Sequence, residues 1–116
     1  MRASDYLEKL PQTTDRRQVV AGVFSVMRNV SVPWGQADPD HPNLAPTYWR
    51  TVIDQRHRVY YFESALSPNI VWVDLKALDF SPGSGGRRVR VEGNDALIGN
   101  INANFEPSEP IAYLAP

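Results

Sequence analysis

The chain has 116 residues, of which 42% are hydrophobic and 22% are charged, and these values are typical of one small globular domain. Twelve basic and thirteen acidic side chains leave a formal charge of −1. This balance argues against a nucleic-acid-binding protein, which normally carries a basic excess or a basic face. The sequence contains no cysteine, which excludes disulfides, thiolate metal ligands and a cysteine nucleophile within it. No run approaches the roughly 18 apolar residues of a membrane span, so we expect neither a nucleic acid nor a membrane as partner.

The first third of the chain predicts two helices. Residues 3–10 carry apolar side chains at spacings of three and four, and Pro11 ends the pattern. A helix this short must dock on another element, because isolated helices of fewer than about 12 residues are marginal. Asp15 is an N-cap candidate for a second helix over residues 16–29. Phe24 is expected at the margin of its apolar face, which the pattern assigns to Val19, Val20, Val23, Met27 and Val30.

From Thr47 onward the apolar period changes to two, which is typical of strands. Polar turns separate the strand-like runs, and three consecutive antiparallel strands form a meander. The alternation of arginine and valine beyond them predicts a further edge strand. The predicted strands cover residues 47–54, 58–65, 70–75 and 88–92. The fold class is therefore α+β, with two N-terminal helices followed by an antiparallel three- to four-stranded meander in a single domain over residues 1–116.

The two histidines do not indicate a metal site. His41 lies between Asp38 and Pro42 in a proline-rich loop, where Asp and His are common because both suit turns. A transition-metal site needs three or four ligands on a firm frame. His57 lies in a hairpin turn, where we expect a solvated side chain. No serine stands in a Gly-x-Ser-x-Gly motif, and no Ser/His/Asp triad is indicated. The residues alone therefore predict no catalytic residue, no metal site and no cofactor.

The glycine-rich segment 83–86, followed by Arg87, resembles a phosphate cradle only superficially. A P-loop needs Lys and Ser or Thr at fixed positions and a helix after the glycines, whereas a strand-like run follows here. We interpret the segment as a flexible turn. Arginines at positions 56, 58, 87, 88 and 90 lie near aromatic or apolar residues, a combination that can bind single-stranded nucleic acid. The alternation of arginine and valine at 88–91 is more typical of the solvated face of a strand, which is the interpretation we adopt.

Three central segments carry a more specific signal. Pro46–Asp54, Val59–Ser64 and Ser67–Leu75 resemble the C-terminal region of the choloylglycine hydrolase family, which includes bile salt hydrolases and penicillin V acylases. The Thr-x-Trp…Asp…Tyr-Tyr-Phe pattern is similar to the recurring hairpin of that family. Three further segments resemble the helix before this hairpin, the helix after the family's Ser/Asp-Arg-Phe motif, and the turn after the third strand in the Gram-negative branch: residues 24–30, 1–7 and 79–84, respectively.

The resemblance implies part of a four-layer αββα sandwich in an N-terminal-nucleophile hydrolase that cleaves linear amide C–N bonds. The nucleophile of that family is a cysteine that becomes the first residue after processing, and its own amino group is the base. The family's catalytic Arg would fall two residues before Met1, and Arg2 matches the next, non-catalytic basic position. No catalytic residue of the family transfers to this chain. We therefore expect the 116 residues to be inert alone, and a small amide substrate to bind only in the full-length parent.

Two alternatives stay open: a free-standing binding or interaction domain derived from this half-fold, and an unrelated α+β domain. Under the family interpretation the chain is the C-terminal part of a longer protein, and one sheet of the sandwich loses much of its cover. Each large apolar side chain left exposed forfeits roughly 1.5–3 kcal/mol. We therefore expect self-association, or binding of the N-terminal portion, through partly uncovered side chains. These are Trp49, Ile53, Tyr60, Phe62, Ile70, Trp72 and Leu75.

Overall fold

Two helices precede all the strands. The structure is a computed structural model and describes residues 2–35, 38–43 and 45–112. Helix α1 spans Arg2–Glu8 and ends earlier than the sequence pattern predicted, and helix α2 spans Arg16–Asn29, as predicted. Within the residues just given, neither helix is long and apolar enough to cross a membrane.

Asp15 begins α2, and α1 packs against it. The side-chain Oδ1 of Asp15 accepts hydrogen bonds from the backbone N–H groups of Arg17 at 2.8 Å and Gln18 at 3.2 Å. These bonds satisfy donors that have no partner within the first helical turn, and they confirm the predicted N-cap. Leu10, just beyond α1, lies against Gly22 of α2, where an added β-carbon would stand 3.2 Å from Leu10 Cδ2. The short first helix is thus docked on the second.

The face of α2 that packs on the sheet differs from the predicted one. Phe24 and Val26 are the buried residues of this helix. The Phe24 ring meets Tyr61 edge-to-face, with the ring centroids 6.3 Å apart. Val19 and Val30 are 46% and 40% exposed. The prediction was wrong in placing Phe24 at the margin and in assigning Val19 and Val30 to the packed face, whereas Val20, Val23 and Met27 are half-buried.

Three antiparallel strands form the predicted meander. Their bounds are Trp49–Asp54 for β1, Val59–Ser64 for β2 and Ile70–Asp74 for β3. The register places Trp49 opposite Ser64 in the first pair and Val59 opposite Asp74 in the second. The predicted ranges exceed these strands by at most two residues at either end, as is usual for strand ends read from pattern alone.

The predicted strand at residues 88–92 is wrong except for its first residue. Strand β4 spans Gly86–Arg88 and pairs with Glu106–Ser108, which is β6, in a separate two-stranded antiparallel sheet. Val89 and Val91 leave the ladder and pack against the core while their arginine neighbours are exposed. The alternation of arginine and valine therefore arises because the valine side chains of an irregular segment are half-buried and the arginines are exposed, and not because the segment is a strand.

Strand β5, Gly99–Asn100, completes the main sheet by pairing parallel with β3, so the sheet is mixed and has the order β1-β2-β3-β5. Gly99 has a φ of 78°, a conformation that glycine adopts at no steric cost. Its Cα lies against the indole of Trp72, because an added β-carbon would stand 3.5 Å from Trp72 Cη2. Two residues are too few to show alternation, and the pattern did not predict this strand.

Different parts of the chain cover the two faces of the main sheet. Helix α2 lies on one of them, which we call the helix face and which carries Arg50, Val52, Asp54, Tyr61, Glu63 and Trp72. On the opposite face, Val71 and Val73 form a buried cluster with Leu97 and Ile101 of the C-terminal segment. That segment is tied to β3, since the side chain of Asn102 accepts from the N–H of Asp74 at 2.8 Å and donates to its C=O at 2.9 Å.

The β1 end of the opposite face is open. Trp49 is 61% exposed and Ile53 is 57% exposed. The other five apolar side chains that were predicted to be partly uncovered are half-buried: Tyr60, Phe62, Ile70, Trp72 and Leu75. Ile70 and Trp72 border α2 on the helix face, so their partial exposure is not part of the surface that Trp49 and Ile53 share.

Candidate functional site

Glu63, the penultimate residue of β2, is the buried charged residue of the described part of the chain, with 6% of its surface exposed. Arg50 of β1 donates from Nη1 to Oε2 of Glu63 at 3.1 Å, and Arg28 of α2 donates from Nε to Oε1 at 3.1 Å and also from Nη2. Ser31 Oγ accepts from Arg50 Nε at 2.8 Å. Both carboxylate oxygens are engaged, so this cluster fixes the end of α2 on the sheet and offers no general base.

The same contact changes the electrostatics of Arg28. Its hydrogen bond to Glu63 raises the pKa of the Arg28 guanidinium above its ordinary value, against the opposing effect of partial burial. The group therefore stays charged at any pH at which the protein is folded. The charged Arg28 beside the buried carboxylate of Glu63 is therefore a structural ion pair.

Asp54 forms a second cluster at the hairpin between β1 and β2. Its Oδ1 accepts the backbone N–H of His57 at 3.0 Å, and its Oδ2 lies 2.7 Å from His57 Nδ1 and 2.9 Å from Arg16 Nε. Arg16 also donates from Nη2 to the hydroxyl oxygen of Tyr61 at 3.1 Å. Arg58 closes the turn and adopts the left-handed backbone conformation, with a φ of 58°. The cluster joins the start of α2 to the tip of the hairpin.

The charge state of Asp54 follows from these partners. Partial burial disfavours its ionised form, but the hydrogen bonds from the backbone and ring of His57, with the electrostatic effects of His57 and Arg16, outweigh that effect. They hold the pKa of Asp54 below its ordinary value. A carboxylate bonded to histidine Nδ1 is also the arrangement that orients the base of a catalytic triad. Asp38 and His41 make the same contact in an exposed loop, whereas the Asp54–His57 pair borders a cleft.

A cleft of about 670 Å³ opens beside this pair, between the start of α2 and the end of β1. Val19, Val20 and Val23 of α2 and Val52 of β1 form its apolar walls, and Arg16, Asp54, His57 and three threonines (Thr13, Thr14, Thr51) add polar groups. Among the described residues that line it, none is a serine or a cysteine. Within the described residues, His57 is hydrogen-bonded to Asp54 and to none of the threonine hydroxyls of the cleft, so no nucleophile–base pair is formed there.

His41 takes part in a local contact only. Its Nδ1 lies 2.8 Å from Asp38 Oδ2, and both side chains are exposed. That hydrogen bond, with the one from the N–H of Asp40, lowers the pKa of Asp38 against a slight opposing effect of burial. No set of three or more metal-ligating side chains comes together within residues 2–35, 38–43 and 45–112.

The glycine-rich segment forms a turn that leads into β4. Asp79 Oδ1 accepts the N–H of Ser81 at 2.9 Å, and the C=O of Asp79 accepts the hydroxyl of Ser84 at 3.2 Å. Hydrogen bonds from Ser81 lower the pKa of Asp79. Gly83 and Gly85 have φ values of 86° and 78°. A strand follows the glycines, so no helix N-terminus stands behind them to hold a phosphate.

Sequence reasoning missed the Glu63 cluster. The run from Val59 to Ser64 predicted a strand, but the single acidic residue within it was not singled out. A carboxylate at a buried position of a strand needs a partner, and Arg28 in the last turn of α2 was the residue to test. The Asp54–His57 pair was also missed, because His57 was expected to be solvated.

Comparison with known proteins places the chain in a family. A family model described as linear amide C–N hydrolases, choloylglycine hydrolase family, matches residues 1–96. A penicillin V acylase of Pectobacterium atrosepticum is 44% identical to the chain over 97 residues, which are 81% of this chain and 26% of that protein. A solved structure of penicillin V acylase from Agrobacterium tumefaciens matches with a TM-score of 0.86 at 41% identity, over 99% of this chain and 37% of that one.

These matches confirm the resemblance inferred from the central segments and from the order of the elements. The α+β arrangement of two helices followed by antiparallel strands in a mixed sheet is that of a part of the penicillin V acylase fold, an N-terminal-nucleophile hydrolase fold. The chain spans between 26% and 37% of the length of these two relatives. The chain belongs to the choloylglycine hydrolase family of linear amide C–N hydrolases.

Proposed function

We propose that these 116 residues supply helices and part of one sheet to a linear amide C–N hydrolase and carry none of its catalytic residues. A small amide substrate would then bind only in the longer protein, in a pocket that other segments complete. Bile salts and penicillin V are the substrate classes that the family implies. The share of each relative that the chain covers supports this interpretation, since most of either relative's length has no counterpart in it.

The observation that carries the proposal is the combination of family membership with the composition of the polar clusters. The nucleophile that the family resemblance implies is a cysteine, and the 116 residues contain none. The buried carboxylate of Glu63 is held by two arginines, and the Asp54–His57 pair has no serine or cysteine among the described residues of its cleft. The charged groups of this segment therefore fasten α2 to the sheet.

The surface supports the same conclusion. In a sandwich of two sheets, the inner faces cover one another. Here the C-terminal segment covers the opposite face over β3, while Trp49 and Ile53 at its β1 end stay exposed. Two exposed apolar side chains on one strand face are compatible with another layer packing there.

The test is an amide hydrolysis assay of the purified 116-residue chain with penicillin V and with a conjugated bile salt. We expect no hydrolysis above that of a preparation from cells that lack the gene. The His57→Ala variant serves as a matched control, because His57 is the only imidazole in the cleft among the described residues. Hydrolysis that follows the chain through purification and disappears in this variant would contradict the proposal.

A further inference from the structure

A turn between α2 and β1 places a carboxylate beside a proline peptide bond. Asp38 is followed by Pro39, and no other aspartate of the chain precedes a proline. The N–H of His41 donates to the C=O of Asp38 at 3.0 Å. This bond closes a β-turn with Pro39 at its second position, where proline is favoured. The carbonyl group that the turn holds is therefore the carbonyl of the Asp38–Pro39 bond.

The electrophile, nucleophile and leaving group of an acyl transfer meet at this bond. The N–H of His41 polarises the Asp38 carbonyl and makes its carbon more electrophilic. The Asp38 carboxylate is a nucleophile within the same residue, and its attack on this carbon closes a five-membered ring. The leaving group is the nitrogen of Pro39, which belongs to a tertiary amide and departs as a secondary amine once it is protonated.

The surroundings of Asp38 keep its carboxylate ionised and accessible to water. The Asp38 side chain is 52% exposed, and that of His41 is 63% exposed. The N–H of Asp40 donates to Oδ1 at 2.9 Å, and His41 Nδ1 lies 2.8 Å from Oδ2. These contacts lower the pKa of Asp38, and among the described residues His41 supplies the titratable side chain that touches it. In mild acid the carboxylate therefore stays ionised while solvent protons reach the Pro39 nitrogen.

We propose that the Asp38–Pro39 bond is a self-cleavage site, at which mild acid divides the chain into residues 1–38 and 39–116. A carboxylate oxygen of Asp38 bonds to the carbonyl carbon of the same residue, the C–N bond to Pro39 breaks, and the nitrogen takes a proton from solvent. One water molecule then opens the cyclic anhydride, which restores the Asp38 side chain and leaves a second carboxyl group as the new C-terminus. The chemistry lies within one turn, so it does not depend on the proposed function.

The contacts around the turn should hold the two pieces together after the cut. At the base of the loop, the N–H of Thr47 donates to the C=O of Val32 at 3.0 Å, and the N–H of Val32 donates to Thr47 Oγ1 at 3.1 Å. Helix α2 lies in the first piece and the main sheet in the second, and the hydrogen bond of Arg28 to Glu63 joins them. We therefore expect the cut chain to remain one folded particle at neutral pH.

Incubation of the full 116-residue chain near the ordinary Asp pKa of about 4, followed by mass spectrometry in denaturant, tests the scission. We expect two products, residues 1–38 and 39–116, and no cleavage at neutral pH. The chain carries its own controls in Glu106–Pro107 and Glu109–Pro110, which have the same leaving group. Their carboxylates must close a six-membered ring, so these bonds should be cut at least about tenfold more slowly. Sedimentation of the cut chain at neutral pH should show one species with the mass of the whole chain.

Two exposed aspartates of the turn give a matched pair of variants. Asp38→Asn removes the nucleophile and should leave the bond intact over the time in which the parent chain is cut. Asp40→Asn removes the same charge two residues away and should be cut as fast as the parent. Pro39→Ala keeps the nucleophile but has a secondary amide as its leaving group, which should slow scission by about tenfold.

Three outcomes would overturn the proposal. The first is a parent chain that stays intact at this pH, and the second is equal scission of the Asp38→Asn and Asp40→Asn variants. The third is cleavage at the two Glu–Pro bonds as fast as at Asp38–Pro39, which would show general acid hydrolysis and no role for the turn. Pieces that separate at neutral pH without denaturant would disprove the two-piece fold.

Discussion

Arg28, in the last turn of α2, is hydrogen-bonded to the carboxylate of Glu63 near the end of β2, and Glu63 is 6% exposed. At the other end of the helix, Arg16 lies 2.9 Å from Asp54 at the end of β1. Only Phe24 and Val26 of α2 are buried between these two contacts. The two arginines therefore determine how the helix lies across the sheet. Removing either carboxylate should lower the free energy of unfolding.

Replacing Glu63 with Gln should destabilise the fold by about 2–3 kcal/mol, because two guanidinium groups then lose their shared counter-charge at a largely dry position. Arg50→Ala should cost more than Arg28→Ala, since the Arg50 side chain is 15% exposed and that of Arg28 is 49% exposed. Urea unfolding at low protein concentration measures the differences. Glu92→Gln, at an exposed position, is the control and should be neutral. Equal effects at positions 63 and 92 would refute the assignment.

Removing the N-cap of α2 should destabilise the N-terminal turn of the same helix. Asp15→Ala loses the acceptor for the N–H groups of Arg17 and Gln18 and should cost about 1 kcal/mol. Asp15→Asn keeps an acceptor oxygen at the same place and should stay close to the parent. The urea midpoint of the two variants distinguishes them, and identical midpoints would show that the cap bonds contribute nothing.

Arg58 should be replaceable by glycine with a gain in stability. Its φ of 58° places a β-carbon where it approaches the following carbonyl, at a cost of roughly 1–2 kcal/mol, part of which glycine's greater freedom in the unfolded chain offsets. We expect Arg58→Gly to stabilise the fold by about 0.5–1 kcal/mol. Thermal or urea unfolding measures it. Arg56→Gly in the same turn should destabilise, because glycine gains nothing at a residue without positive φ.

Acid should destabilise the hairpin through Asp54. Its pKa in the folded chain lies below the unfolded value, so the carboxylate contributes stability at pH values above its ordinary pKa of about 4. This contribution is lost as the pH falls through the lower, folded value. Asp54→Asn can still accept the N–H of His57 but loses the charge facing His57 and Arg16.

Urea titrations at neutral pH and at a series of pH values below 4 check this expectation. The variant should be less stable than the parent at neutral pH and should lose less stability on acidification. Asp38 and Asp79 also have lowered pKa values, so some acid dependence should persist in the variant. An unchanged acid profile in Asp54→Asn would rule out this carboxylate as a source of the pH dependence.

The spacing of apolar side chains predicted α2 and the meander, because both extend over enough residues for a helical or strand period to be recognised. It failed where structure depends on distant contacts. Gly99–Asn100 joins the sheet through its approach to Trp72, and the valines at 89 and 91 are half-buried without a ladder. Glu63 pairs with residues 35 positions away in Arg28 and 13 away in Arg50, and no spacing rule links them. The family resemblance, carried by the hairpin, was accessible from sequence because those residues are contiguous.

A chimeric enzyme tests the central claim most directly. Residues 1–96, the range that the family model matches, would replace the aligned segment of the penicillin V acylase of Pectobacterium atrosepticum. If the segment supplies only helices and strands, every catalytic residue comes from the rest of that enzyme. We expect the folded chimera to hydrolyse penicillin V with kcat/KM within about tenfold of the parent enzyme, a change of about 1.4 kcal/mol. A chimera that folds cooperatively but shows no hydrolysis would contradict the account.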